Sequence, residues 1–173
     1  MHQILNAIVG PTRKISWGAL YPLIHSMVAD GWIEQVPDAQ PEGAKQGRGK
    51  KIKTYQLTDE GRMRFFRLME EPIPYTPDYE LHFYTKLKHF DLIDKELRFL
   101  ILHQYKDYLR FEIRHEEERL EFASKYERIP AGEQRYILIF FRHRLEKLRM
   151  DEQWVLQLID SHRAEGGELR LDR

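Results

Sequence analysis

The chain has 173 residues, 42% of them hydrophobic and 32% charged, with no cysteine and a formal net charge of zero. These totals suit one compact domain or two small ones, and they exclude disulfides and thiolate metal sites. With no run of 18 apolar residues and no charged-then-apolar leader, neither a membrane span nor a secretory signal is expected, and the expected address is the cytoplasm. The neutral total hides an asymmetry: residues 1–70 carry 10 Lys+Arg against 7 Asp+Glu, and residues 71–173 carry 18 against 21. The two parts therefore have opposite sign.

Residues 2–9, HQILNAIV, can form a short helix that the breaker pair Gly10-Pro11 ends. The stretch ISWGALYPLIHSMVADGWIEQV follows. Leu20, Leu23, Ile24 and Met27 recur at steps of three and four and predict a core-facing helix side, with Val28 at its edge. Gly18, Pro22, His25, Ser26 and Ala29 fall opposite, with Tyr21 on the flank, so the outward face is small and uncharged and could lie close against a DNA groove. Ser16 is the expected N-cap and Asp30-Gly31 the stop. Pro22 removes one helical bond and predicts a kink or a shortened first turn. Trp17 and Trp32 read as packing residues.

Trp32 to Val36 and Lys51 to Leu57 read as strands joined by a polar loop, Pro37 to Gly49. Lys45, Arg48, Lys50, Lys51 and Lys53 lie between Gly43 and Lys53 with no acid among them. That concentration suits a phosphate backbone, because each neutralised phosphate releases counterions. Thr58 should cap a further helix whose apolar side is Phe65, Phe66 and Met69. Three prolines in Pro72 to Pro77 then predict a semi-rigid linker and a domain boundary.

The remainder reads as helical: a piece over Tyr79 to Phe90, a long helix from the Asp94 cap to about Glu127, a turn at Pro130-Ala131-Gly132, and a last helix from Glu133 to about Arg163. Leu97, Ile101, Tyr105, Tyr108, Phe122 and Tyr126 form one apolar stripe on the first long helix, and Leu102, Leu109, Ile113 and Leu120 a second. Ile137, Phe141, Leu145, Leu148, Val155, Leu158 and Ile159 form the seam of the last helix. Helices of this length span about 45 Å, more than a small core requires, which suggests packing against a second copy. Trp154 is expected in such an interface.

His115 beside Glu116, Glu117 and Glu118 could suggest a metal site, but adjacent helical residues point apart, so a solvated charged face is expected. His82 and His89 lack a third ligand of suitable spacing. No paired carboxylates for acid–base work and no phosphate loop opening a helix are present, so neither an enzyme, a cofactor nor a metal is expected.

GALYPLIHSMVADGWIE, the closing KTYQLTDEGR of the wing, and the entry LHFYTKLKHFD to the helical region together resemble the PadR family of bacterial transcriptional regulators. The resemblance spans almost the whole chain. It implies a mainly α fold with a small two-stranded wing: a winged helix-turn-helix over residues 1–71, a linker over 72–78, an antiparallel long-helix dimerisation domain over 79–165 and a frayed tail over 166–173. It further implies a homodimer that binds a palindromic double-stranded DNA operator, usually as a repressor, and answers to a small phenolic or other hydrophobic effector. By position, Ser16, Tyr21, His25 and Ser26 would meet the groove or backbone, with Arg48, Lys50 and Lys51 on the wing. Effector-binding residues are not assigned. Family members carry another helix ahead of the one that here begins at His2. The reading from another class is a protein-interaction module in which the long helices dock a partner and the winged helix no longer binds DNA.

Overall fold

The computed structural model describes residues 5–6, 14–36 and 53–168, with the backbone alone for 165–168. The chain divides into two compact units, Met1–Glu71 and Pro72–Arg173. In the first, helix α1 (Trp17–Ala29) leads into strand β1 (Ile33–Val36), and β2 (Thr54–Leu57) into helix α2 (Asp59–Glu70). The strands pair antiparallel with Ile33 opposite Leu57 and Val36 opposite Thr54. This is a winged helix with a two-stranded wing, and the second unit is wholly helical among the described residues.

Both ends of α1 follow from local chemistry. The Ser16 side chain accepts from the Ala19 amide at 3.1 Å, satisfying a donor that the helix start leaves orphaned. At the other end the Gly31 amide reaches the Val28 carbonyl at 3.1 Å and the Trp32 amide reaches Met27 at 2.9 Å. Gly31 takes a φ of +73°, so the helix closes in a Schellman turn whose left-handed residue is glycine. The core seam is narrower than the sequence pattern suggests. Leu20 is buried, Ile24 and Met27 are half-buried, and Leu23 is 55% exposed. Leu23 stands about 60° around the helix from Leu20.

The start of α2 is locked onto the end of α1. Thr58 caps α2 by accepting from the Gly61 amide at 2.9 Å, and the same hydroxyl donates to the Gly31 carbonyl at 2.6 Å. The Thr58 amide donates to the Trp32 carbonyl at 3.1 Å. That carbonyl is also the neighbour of Gly61: a Cβ on Gly61 would stand 1.9 Å from the Trp32 oxygen. Trp32 therefore belongs to this junction and not to the strand ladder, which begins at Ile33.

In the second unit, α3 (Tyr79–Leu87) and a 3₁₀ turn (Phe90–Leu92) precede the long helices α4 (Lys95–Lys125) and α5 (Ala131–Glu168). Asp94 caps α4 by accepting from the Leu97 amide at 2.8 Å. The interior is aromatic: Phe83 stacks on Tyr105 at 3.7 Å and Tyr79 on Tyr108 at 4.0 Å between centroids. Burial pushes the Tyr79 and Tyr108 phenols up to about 12. The proline-rich segment does not run free of this core, because Tyr75 packs on Tyr108 and Phe111. Gln134 near the start of α5 donates to the Ala123 carbonyl at 2.9 Å and the Ser124 carbonyl at 3.3 Å, covering the end of α4. Helix α5 continues past Gly166 and Gly167 to Glu168, beyond the end near Arg163 that the sequence suggests.

Leu145, Leu148, Val155 and Ile159 are buried along the expected seam of α5. On α4 the seam runs through Leu102, Leu109, Glu116 and Ala123, spaced by sevens and all buried. Phe122, one residue ahead of that series, is 64% exposed. Glu116 corrects the reading of residues 115–118 as a solvated face. Its neighbours are exposed, but Glu116 itself is 1% exposed and accepts an ion pair from Arg144 Nε at 2.8 Å, with Arg119 at 3.5 Å. Its Oε2 has no hydrogen-bond partner.

Two stability measurements check these junctions. Gly61→Ala must displace the Trp32 backbone and is expected to cost about 3 kcal/mol, at the severe end for overpacking, read as a lowered urea midpoint. Arg144→Ala leaves the buried Glu116 carboxylate only the longer contact to Arg119 and should cost about 3 kcal/mol, whereas Glu116→Leu combined with Arg144→Met should recover most of that loss.

Candidate nucleic-acid interface

The outward face of α1 is built from residues that keep the helix surface low. Gly18, Pro22, His25, Ser26 and Ala29 are all exposed, and a Cβ on Gly18 would meet only the Ser16 hydroxyl at 3.7 Å. Pro22 has no amide to give the Gly18 carbonyl, yet the helix runs unbroken from Trp17 to Ala29. A helix with a low outward face can approach the floor of a groove about 12 Å wide.

The four residues expected on this surface lie along it. Ser16 stands at the first end, with its oxygen committed to the cap. Tyr21 is 55% exposed and His25, one turn further on, is exposed. Ser26 is exposed, and its hydroxyl donates to Asp30 Oδ2 at 3.3 Å, so a carboxylate sits at the far end of the face. Arg48, Lys50 and Lys51 lie outside the described residues. Lys14 ahead of α1 and Lys53 at the foot of β2 are described and exposed.

Two features escape the sequence pattern. Trp17 is more exposed than a packing residue of its size would be, at 55%, and its ring lies against Tyr21 with centroids 5.7 Å apart at 37°. The signal was the spacing of four, which places both rings on one flank. Trp32 behaves as expected, half-buried beneath the Arg64 guanidinium at 5.5 Å. The second feature is Asn6, whose side-chain oxygen accepts from the Ile15 amide at 2.7 Å and whose nitrogen donates to the Ile15 carbonyl at 3.3 Å. This clamp holds the approach to α1, and no periodicity announces it.

Elsewhere, an apolar cleft of about 360 Å³ in the second unit is walled by Phe122, Ala123, Ile129, Ile137 and Phe141, with Arg119 beside them. Among the described residues no group of three or more His, Asp or Glu side chains is placed to hold a metal, and no helix is long and apolar enough to cross a membrane.

Residues 1–67 match the family model described as the transcriptional regulator PadR-like family. Among solved structures, Bacillus subtilis PadR in complex with operator DNA is similar at 17% identity and a TM-score of 0.37, over 93% of this chain and 88% of that one. No curated protein matches the chain.

The cap at Ser16 supplies a direct check on how α1 is held. Ser16→Ala should destabilise the chain by about 1 kcal/mol, the usual value of a lost N-cap, while Ser16→Asp should hold stability because its carboxylate accepts the same amide. Thermal unfolding of the two variants beside the parent separates these outcomes.

Proposed function

We propose, from the match of residues 1–67 to the PadR-like transcriptional regulator family model, that this chain binds a palindromic operator as a homodimer and represses transcription. The match over the winged helix is the observation that carries this reading. The outward face of α1 supports it, being exposed, low and uncharged, with hydroxyl, phenol and imidazole groups that can meet base edges or phosphates. The basic residues of the wing sequence would add contacts to phosphates that position the domain without reading sequence.

The homodimer is supported by a second stripe on α5. Tyr136, Phe140, His143, Lys147, Met150 and Trp154 alternate at steps of four and three, the spacing of a helix seam. Tyr136 is 70% exposed, Met150 61% and Phe140 52%, with Trp154 at 36%. Helix α4 covers the other side of α5, and Trp154 at one end of this stripe packs on Phe83 and Tyr84, so the part left for a second partner runs from Tyr136 to Met150. The second copy is the occupant we assign to that part. Two winged helices held by this pairing would meet half-sites spaced by whole turns of about 34 Å. A small phenolic or other hydrophobic effector that favours one spacing over the other would then release the operator.

A salt-dependent titration against the DNA upstream of the chain's own gene tests the reading. Affinity should fall steeply with salt and exceed that for unrelated duplex; equal, salt-insensitive affinity for both would abolish it. Lys50→Ala with Lys51→Ala should weaken all duplexes and reduce the slope of log K against log salt by about 2. For the dimer, Met150→Glu should give a monomer in sedimentation and lose operator affinity at least about tenfold, since single half-sites bind without avidity.

A further inference from the structure

We propose that Tyr75 anchors the proline-rich segment to the aromatic core of the second unit, shortens the connection between the two units to Pro72, Ile73 and Pro74, and thereby restricts the half-site spacing that the dimer accepts. The anchor stands on ring contacts within the second unit. Its consequence for spacing rests on the DNA-binding reading above and deepens it.

The Glu71 amide donates to the Arg67 carbonyl at 2.8 Å, the last hydrogen bond of α2. Glu71 precedes a proline and takes extended backbone, with φ −53° and ψ 126°, because the proline ring excludes helical geometry from the residue before it. Tyr75 is the next ring along the chain. Its centroid lies 5.3 Å from Tyr79, 5.3 Å from Tyr108 and 5.1 Å from Phe111, at 86°, 69° and 45°, the edge-on and tilted geometries that aromatic rings favour. Just beyond it the Tyr79 amide donates to the Thr76 carbonyl at 2.9 Å. Pro74 and Pro77 flank the ring and fix their own φ angles, so little backbone freedom is lost when it seats. Tyr75 is half exposed and rests on a core already complete beneath it, where Tyr79 stacks on Tyr108 and Phe83 on Tyr105.

The anchor changes how far the chain can reach. A proline-rich chain extends by about 3.1 Å per residue, so residues 72–74 span about 9 Å. With Tyr75 released the connection can extend to the start of α3 at Tyr79, and residues 72–78 span about 22 Å. Once one winged helix occupies its half-site, the other reaches the second half-site from a volume set by these connections. Its effective concentration falls roughly as the −3/2 power of their length, about fourfold here, and the set of spacings within reach widens.

One measurement needs no DNA. The chain has no cysteine, so Arg67→Cys on α2 and Arg114→Cys on α4, both at exposed positions, take a pair of spin labels, and excess unlabelled chain isolates the distance within one protomer. Tyr75→Ala should broaden the distance distribution and Tyr75→Phe should match the parent. Gly-Ser-Gly inserted between Pro74 and Tyr75 should broaden it too; that insertion keeps every ring contact and so separates a longer connection from a weakened core. An unchanged width in Tyr75→Ala would overturn the anchor. The second measurement takes operators selected from a random pool and moves their half-sites by two base pairs, a shift of about 7 Å and a rotation of about 70°. The parent should lose about tenfold or more, and Tyr75→Ala about threefold or less, while Tyr75→Ala binds the best operator about four- to tenfold more weakly and a single half-site like the parent. An equal loss on half-site and operator, or an unaltered spacing profile, would overturn the spacing role. If the pool yields no preferred sequence, the DNA-binding reading falls with the spacing role, and the label distances still decide the anchor.

Discussion

The winged-helix unit turns on the carbonyl of Trp32. The amide of the same residue closes α1 by reaching Met27, and the carbonyl accepts from Thr58. Four elements thus meet at one residue: the end of α1, the start of β1, the end of β2 and the start of α2. Gly61 allows the contact, since its missing Cβ is the space in which the Trp32 oxygen sits. Thr58 completes it, with one hydroxyl that accepts from Gly61 and donates to Gly31. No side chain larger than threonine is needed, so the junction is short and stiff. Its consequence is directional: the outward face of α1 and the strands of the wing keep a set angle, which any surface shared by helix and wing requires.

The second unit is organised by a different constraint. Two long helices paired along one seam could slide by a heptad with little change in apolar contact, because Leu and Ile positions repeat. Glu116 removes that freedom. It occupies a seam position, is almost fully buried, and finds its cation on α5 at Arg144. Any other register would separate Glu116 from Arg144 and leave its buried carboxylate with Arg119 alone, at 3.5 Å. Arg110 with Glu152 and Arg149 with Glu117 bridge the same helices at 2.7 Å, but they are more exposed and weaker determinants. Holding the register also sets where along α5 the outward stripe lies relative to α4.

Features governed by neighbours in the chain were the ones legible in the sequence. Ser16, Thr58 and Asp94 cap their helices as expected because a cap needs only a hydroxyl or carboxylate three residues from an amide. The stop at Gly31 was readable for the same reason. What periodicity could not resolve was which side of a doubly apolar helix meets its partner. Phe122 and Leu102 have equal claim on pattern alone, and only the position of α5 decides between them. Glu116 was read as solvated because charge predicts exposure unless a partner is known, and that partner lies 28 residues away on another helix. Gly61 and Asn6 were silent: a glycine near a helix start and an asparagine in a short helix look ordinary until the backbone they approach is known. Trp17 is more exposed than its size suggests, since large aromatics are usually buried.

Hydrogen-bond capacity further divides the outward face of α1 between its two ends. The Ser16 oxygen is taken up by the Ala19 amide, which leaves its proton free to donate, a role suited to a phosphate oxygen or an acceptor on a base. Ser26 is in the opposite position. Its proton is given to Asp30, and the carboxylate that receives it would repel an approaching phosphate. Under the DNA-binding reading the two ends therefore cannot contribute alike. The end bearing Ser16, Trp17 and Tyr21 offers a donor and an apolar surface and suits entry into the groove, while the end bearing Ser26 and Asp30 suits the solvent side. His25 lies between them, one turn beyond Tyr21. Under that reading the side chains able to discriminate sequence would lie in the first five residues from the cap, and it is this end of α1 whose approach is held by the Asn6 clamp on Ile15.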